Sequence, residues 1–305
     1  MTVVRRYPLI LNPRAKSERA RRALRFVMEN AARFAIYATN TAEEAQALVG
    51  KFAQEKEPVV VAAGGDGTLN AVVRGLAGTE TTLGILPTGT MNVFAREMGI
   101  PFDQLRRALE VIDEGNVEEV DLFEVNKIPF VQMAGVGFDA QVIEETTRES
   151  KKALGPLAYL LSAVKVLGEK PPKSTVYFEE GYTAEGVAVL LGNGSLYGGQ
   201  FRLFREADNA DDLLDVVVFK EAGLKLVRDS LAGLARGGFK ADSGVVEYYQ
   251  SSGLRVECEE DVPVEVDGEL WGRAHEMEFA HSEAKLRVLA PKERGVNWWE
   301  QVLKN

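Results

Sequence analysis

Up to about Leu122 the chain alternates short apolar or β-branched runs with longer stretches of helical period. Pro8 to Leu11, Phe34 to Ala38, Val59 to Ala62 and Thr82 to Leu86 predict strands, and Glu18 to Glu29 and Ala42 to Glu55 predict helices between them. Such alternation predicts an α/β domain with a parallel sheet and crossover helices, in which ligands sit outside the carboxyl ends of the strands. The loops that matter therefore begin at Asn12, Thr39, Gly64 and Pro87. Beyond Leu122 the pattern changes to short alternating strands and tight turns: Val125 to Met133, Ser174 to Phe178, Val187 to Leu191, Leu214 to Phe219, Val245 to Tyr249, Leu254 to Glu257, Val262 to Val266 and Lys285 to Leu289. These predict a second, β-rich and mostly antiparallel sandwich domain. Helical stretches interrupt it around Ala140 to Lys151, Leu157 to Leu167 and Leu224 to Ala235, and Val296 to Leu303 reads as a short amphipathic helix. The expected division is residues 1–122 and 123–291, with a helix over about 292–305 packing back on the first domain.

Two of the strand-end loops carry phosphate-binding syntax. After the run Val59 to Ala62 comes Ala63 Gly64 Gly65 Asp66 Gly67 Thr68 Leu69 Asn70, opening a helical segment. Glycines let the backbone turn and approach an anion, while Thr68 adds a hydroxyl and the first amides of the helix point at bound oxygens. Beside phosphates the carboxylate of Asp66 would be repelled, so it is expected to act through Mg²⁺, its water shell or an acceptor hydroxyl. A second loop, Pro87 Thr88 Gly89 Thr90 Met91 Asn92, follows the next strand. One glycine-rich turn is weak evidence, but two at adjacent strand ends can serve one ligand; for Thr88 and Thr90, helix capping is the simpler alternative.

Composition narrows the chemistry. With 305 residues, 46% of them hydrophobic, the chain can build two ordinary cores. No apolar run reaches the roughly 20 residues of a membrane helix, and Met1 to Leu11 is too broken for a signal peptide, so a cytoplasmic protein is expected. One cysteine, Cys258, and two histidines, His275 and His281, allow neither an internal disulfide nor a zinc cluster, so oxygen ligands are expected for any catalytic metal. A net charge of −10 argues against nucleic acid as a partner. Charge is nevertheless uneven: Arg14, Lys16, Arg19, Arg21, Arg22 and Arg25 form a basic stretch, either a solvated helix face or an attraction for anionic lipid or nucleotide phosphate.

Two acidic turns stand out. In Asp208 Asn209 Ala210 Asp211 Asp212 Leu213 Leu214 Asp215, Asp208 and Asp211 suit a hard cation such as Mg²⁺, although a solvated acidic turn has the same composition. Near the carboxyl end, Val266 Asp267 Gly268 Glu269 breaks a strand pattern. Glu269 is either part of an ordinary hairpin or a general base for an acceptor hydroxyl.

Together with Asn12 Pro13, Gly135 to Ala140, Gly192 Asn193 and Tyr197 Gly198 Gly199, these pieces resemble, in order and spacing, the diacylglycerol kinase catalytic family, and within it the soluble bacterial lipid kinases related to sphingosine and ceramide kinases. The resemblance covers nearly the whole chain. It implies ATP-dependent transfer of the γ-phosphoryl group to a hydroxyl of a lipid such as diacylglycerol, in a cleft between an α/β domain and a β-rich domain. It implies that Asn12, Thr39, Gly64, Gly65, Asp66, Gly67, Thr68, Leu69, Asn70 and Thr90 hold ATP and that Asp66 organises the catalytic Mg²⁺. Glu269 would be the base, and Asp208, Asp211 and the carbonyl of Leu213 would hold a structural Mg²⁺. Three positions depart from the family pattern: Val93 stands where an aspartate is usual, Asp212 where glycine is usual, and the Asn12 to Lys16 loop lacks the family's glycine.

The substrate being insoluble, transient peripheral contact with the inner membrane surface is expected, with Leu154 to Leu167, flanked by Lys151, Lys152 and Lys165, as the candidate lipid-facing element. A homodimer is a further expectation. An NAD kinase, which shares the Gly-Gly-Asp-Gly-Thr loop, and a non-catalytic nucleotide-binding regulator are the alternatives.

Overall fold

The computed structural model describes residues 6–13, 18–137, 171–199, 201–223, 225, 228–229, 232–233, 236–239 and 244–293. The helices expected at 140–151, 157–167, most of 224–235 and 296–303, the candidate lipid-facing element at 154–167 and the loop residues Arg14 and Lys16 lie outside these residues. The chain divides into two compact units, one of Met1–Val120 with Ala284–Asn305 and the other of Asp121–Glu283.

In the first unit strands and helices alternate: β1 (Tyr7–Leu11), α1 (Glu18–Glu29), β2 (Phe34–Ala38), α2 (Ala42–Gln54), β3 (Val59–Gly64), α3 (Asp66–Leu76), β4 (Thr82–Pro87), α4 (Val93–Glu97) and α5 (Leu105–Glu114). The strands pair in parallel in the order β2, β1, β3, β4, with Tyr7 opposite Phe34, Leu9 opposite Val61 and Gly64 opposite Pro87. Leu9, Ile10, Val60, Val61 and Leu83 are fully buried, as a sheet covered on both faces requires. Each such side chain contributes on the order of 1.5–3 kcal/mol through burial. Local signals set the helix ends. The Thr41 hydroxyl accepts from the Glu44 amide (3.2 Å) at the start of α2, and Gly115 (φ 67°) ends α5 in the left-handed region that glycine tolerates. Gly75 lets α3 lie against α2, since a Cβ there would stand 2.8 Å from the Gln46 carbonyl.

The second unit is built from β5 (Val117–Val125) from Asp121 onward, β6 (Ile128–Phe130), β7 (Met133–Gly137), β8 (Ser174–Phe178), β9 (Thr183–Gly186), β10 (Ala188–Gly192), β11 (Leu196–Tyr197), β12 (Phe201–Arg202), β13 (Leu214–Phe219), β14 (Val246–Ser251), β15 (Gly253–Val266) and β16 (Glu269–Leu289) as far as Glu283. Its pairings are antiparallel: β14 with β13, β13 with β10, β10 with β7, β7 with β15, and β15 with both β8 and β16. Phe123, Phe130, Val136, Val189, Val216, Val264, Met277 and Phe279 meet in its core.

Four expected strands take a different form. The run from Val125 to Met133 breaks at Asn126 and Lys127, both at positive φ, so β5, β6 and β7 replace one strand. Leu254 to Glu257 and Val262 to Val266 are the two ends of β15, joined across a register shift between Glu257 and Val262. Lys285 to Leu289 is the tail of the 21-residue β16; this tail belongs to the first unit, within which Val288 pairs in parallel with Leu83.

Candidate functional site

The two glycine loops leave the carboxyl ends of the neighbouring strands β3 and β4, and they touch. The Thr88 amide donates to the Gly64 carbonyl (2.9 Å). A Cβ on Gly89 would stand 2.4 Å from the Cα of Gly65, and one on Gly64 would stand 2.3 Å from the Thr68 Cβ. Glycine at 64 and 89 is therefore a packing requirement. Gly65 is the N-cap of α3, and an N-cap glycine offers no side-chain acceptor to the first amides of the helix, an arrangement that suits an anion.

Asp66 opens α3 but serves another helix. Its Oδ1 accepts from the Val93 amide (2.8 Å) and its Oδ2 from the Asn92 amide (3.0 Å), so the carboxylate caps the start of α4 and ties the first loop to the second. Burial raises the Asp66 pKa above the ordinary carboxylate value, opposed by those two amides, its own amide and the positive charge of Arg96. Asn92, in the left-handed region (φ 48°), completes the clamp: its side chain accepts from the Gly89 amide (3.3 Å) and donates to the Gly89 carbonyl (3.0 Å).

Two arginines flank the second loop. Arg96 donates through Nε to the Met91 carbonyl (2.6 Å), and Arg19 of α1 donates to the carbonyls of Thr90 (3.2 Å) and Gly89 (3.4 Å). Their guanidinium carbons lie 3.5 and 4.6 Å from the centre of the Phe102 ring. Burial, reinforced by repulsion from Arg19, lowers the Arg96 pKa. The basic stretch is thus not uniformly solvated. Arg22 pairs with Glu18 along the helix (3.7 Å), while Arg19 supports the loop.

The remaining nucleotide candidates occupy the same end of this sheet. Asn12 follows β1, and the amide of Thr39, itself buried, donates to the Leu11 carbonyl (2.9 Å) at the end of β2. Gly67 and Thr68 lie on the first turn of α3, and Thr90 is exposed in the second loop. Leu69 and Asn70 are buried on α3, and the Leu69 amide donates to the Gly65 carbonyl (3.0 Å).

The second unit holds the acidic residues. In the turn before β13, Asp208 Oδ1 accepts from the Ala210 amide (3.2 Å) and Asp211 Oδ1 from the Leu213 amide (3.1 Å). The fully buried Asp121 of β5 joins the turn: its Oδ2 accepts from the Asp212 amide (2.7 Å). Burial, then the negative charges of Asp208 and Asp121, raises the Asp211 pKa. Carboxylates crowded into one turn with a main-chain carbonyl beside them offer the oxygen donors that suit a hard divalent cation, and Asp208, Asp211 and Leu213 are the residues that would hold it.

At the other turn Asp267 (φ 49°) is buried, and its carboxylate accepts from the amides of Val131 (3.1 Å), Gln132 (2.9 Å) and Met133 (3.0 Å). Its own amide donates to the Met133 carbonyl (2.9 Å). Glu269 follows Gly268 as the first residue of β16. It is half-buried and registered against Val266 directly across the turn that Asp267 anchors.

Glycine loops at the carboxyl ends of parallel strands, joined to a β-rich unit with acidic turns, define the class of two-unit kinases that includes lipid and NAD kinases. Residues 6–125 match the family model "Diacylglycerol kinase catalytic domain", and residues 132–289 match "YegS C-terminal NAD kinase beta sandwich-like domain". A diacylglycerol kinase of Bacillus subtilis (strain 168) is 30% identical over 263 residues, spanning 85% of this chain and 86% of that one. One from Staphylococcus carnosus (strain TM300) is 29% identical over 297 residues, spanning 95% and 96%. Among solved structures, a protein of Bacillus anthracis str. Sterne proposed to be a diacylglycerol kinase aligns with a TM-score of 0.79 at 26% identity, covering 96% of this chain and 97% of that one. An NAD kinase from Archaeoglobus fulgidus in complex with ATP shares the fold, with a TM-score of 0.53 at 12% identity over 99% of this chain and 100% of that one. The chain belongs to the diacylglycerol kinase catalytic family and is a lipid kinase. No helix among the described residues is long and apolar enough to cross a membrane.

Proposed function

We propose that this kinase transfers the γ-phosphoryl group of ATP to the free hydroxyl of diacylglycerol presented at a membrane surface. The observation that carries the reading is the pair of touching glycine loops locked by Asp66, which holds the amides at the start of α3 and the Thr88 to Thr90 hydroxyls in one place for a polyphosphate. In this reading Asn12, Thr39, Gly64, Gly65, Gly67, Thr68 and Thr90 line the nucleotide. Asp66 keeps the loops together and turns a carboxylate toward the phosphates and their metal. Glu269, held by the turn that Asp267 anchors, accepts the proton of the lipid hydroxyl as its oxygen attacks phosphorus. Bound Mg²⁺ would neutralise phosphate charge at the nucleotide and, at Asp208, Asp211 and Leu213, brace the acidic turn.

Labelled ATP supplied with vesicles containing diacylglycerol, and separately with NAD, tests this. Label should enter the lipid fraction as a phosphatidate and leave NAD unlabelled. Label on NAD and none on the lipid would overturn the reading; label on another lipid alcohol would keep the kinase and replace the acceptor.

A further inference from the structure

One cluster in the second unit is used by none of these roles. Nε2 of His281 lies 3.2 Å from an oxygen of Asp212 and 3.8 Å from one of Asp121. One ligand atom from each of the three residues lies within 4.8 Å of the other two, among the described residues. The three come from distant parts of the chain: Asp121 from β5, Asp212 from the acidic turn and His281 from β16. The Asp121 side chain is fully buried, that of His281 is 22% exposed, and that of Asp212 is 58% exposed, so the cluster opens to solvent on one side.

The histidine is held and aimed. Its ring meets Phe123 edge-on with centroids 5.2 Å apart, and its amide donates to the Ser252 carbonyl (3.0 Å). Its Nε2 is buried and has no hydrogen bond among the described residues, although it faces two carboxylates. A buried ring nitrogen pays for desolvation unless a proton or a metal uses it. Asp212 is the second pointer. It adopts φ 62°, where glycine would be unstrained, and there its backbone amide is fixed on Asp121 while its carboxylate reaches the histidine.

We infer that Asp121, Asp212 and His281 form a cation site distinct from the oxygen-only set of Asp208, Asp211 and Leu213, and that it takes a borderline divalent transition-metal ion of the zinc type. An imidazole nitrogen with two carboxylate oxygens suits such an ion, whereas Mg²⁺ prefers oxygen alone. Three protein ligands leave positions for water on the exposed side. This inference stands whichever lipid the kinase phosphorylates, because its test does not read turnover.

The test is a titration of the metal-free full chain with Co²⁺, whose visible absorption reports nitrogen ligation, against Asp212→Gly, His281→Gln and Asp211→Asn. Glycine relieves the strain at position 212, so Asp212→Gly should fold at least as well as the parent, checked by thermal unfolding. The parent should bind one Co²⁺ with visible bands. Asp212→Gly and His281→Gln should each weaken binding at least tenfold, and Asp211→Asn should leave the bands in place. Equal Co²⁺ affinity in the parent and Asp212→Gly would reduce the cluster to an Asp–His ion pair. Loss of the bands in Asp211→Asn alone would place the ion in the neighbouring turn. Either result overturns the proposal.

Discussion

Asp66 and Asp267 do the same physical work in two unlike settings. Each is a carboxylate gathering main-chain amides from a segment distant in sequence: Asp66 takes Asn92 and Val93, and Asp267 takes Val131, Gln132 and Met133. The settings differ in what surrounds the clamp. Around Asp66 the backbone is kept bare by glycines and its partners open a helix, so the clamp shapes a place for an anion. Around Asp267 the partners lie at the start of a buried strand, so the clamp fixes a hairpin whose next carboxylate is the half-buried Glu269. A short acidic motif can thus mark an architectural residue beside a reactive one, and the two are separable by experiment.

The largest effect is expected at Asp66. Asp66→Ala leaves two amides without their acceptor and unlocks the loops, so turnover should fall by at least about 100-fold and stability by about 2 kcal/mol. Steady-state kinetics and urea unfolding check the pair of losses; a variant losing only turnover would show that the clamp is unnecessary and the carboxylate purely chemical. Asp267→Ala should reverse the emphasis. Three buried amides lose a charged acceptor, and urea unfolding should report a loss of about 3 kcal/mol or more. Unchanged stability there would remove the parallel between the two clamps.

A narrower effect belongs to the loop contact. Gly89→Ala places a methyl 2.4 Å from the Gly65 backbone, so the loops must part. ATP affinity, measured by calorimetry, should weaken by at least about tenfold while the second unit's contribution to unfolding is untouched. Affinity within twofold of the parent would mean that the loops need not touch to hold nucleotide. The smallest effect belongs to a residue of neither clamp. Burial raises the Cys258 thiol pKa, and Ser174 Oγ lies 3.1 Å from its sulfur. Thiol reagents at pH 8 should therefore label the native protein much more slowly than the unfolded chain; equal rates would contradict the burial.

The first unit was readable in its strands, which are continuous apolar runs, and in α2, which Thr41 caps, whereas α5 (Leu105–Glu114) was not among the expected helices. β16 was readable only at its end. Most of its 21 residues alternate with charges such as Arg273, Glu276 and Glu278, which resemble loop composition until β15 is placed beside them. At the site, the glycines and acidic turns announced themselves, but their partners did not. The donors that Asp66 and Asp267 accept from are backbone amides, which carry no sequence signature. Arg19 reaches a loop 70 residues away, and Asp121 reaches a turn 91 residues away. Of the two departures named at Val93 and Asp212, the structure gives each a use. Val93 lends Asp66 its amide, and Asp212 lends its amide to Asp121 and its carboxylate to His281.

The central claim is that Glu269 supplies chemistry while Asp267 beside it supplies structure. Turnover of diacylglycerol vesicles by Glu269→Gln, measured with ATP affinity and the thermal midpoint on the same preparation, tests it most directly. Turnover should fall by at least about 100-fold, with ATP affinity within twofold and the midpoint within a degree or two of the parent. Retained turnover would contradict the proton-accepting role, and a fall in turnover matched by a large fall in midpoint would make Glu269 another structural carboxylate.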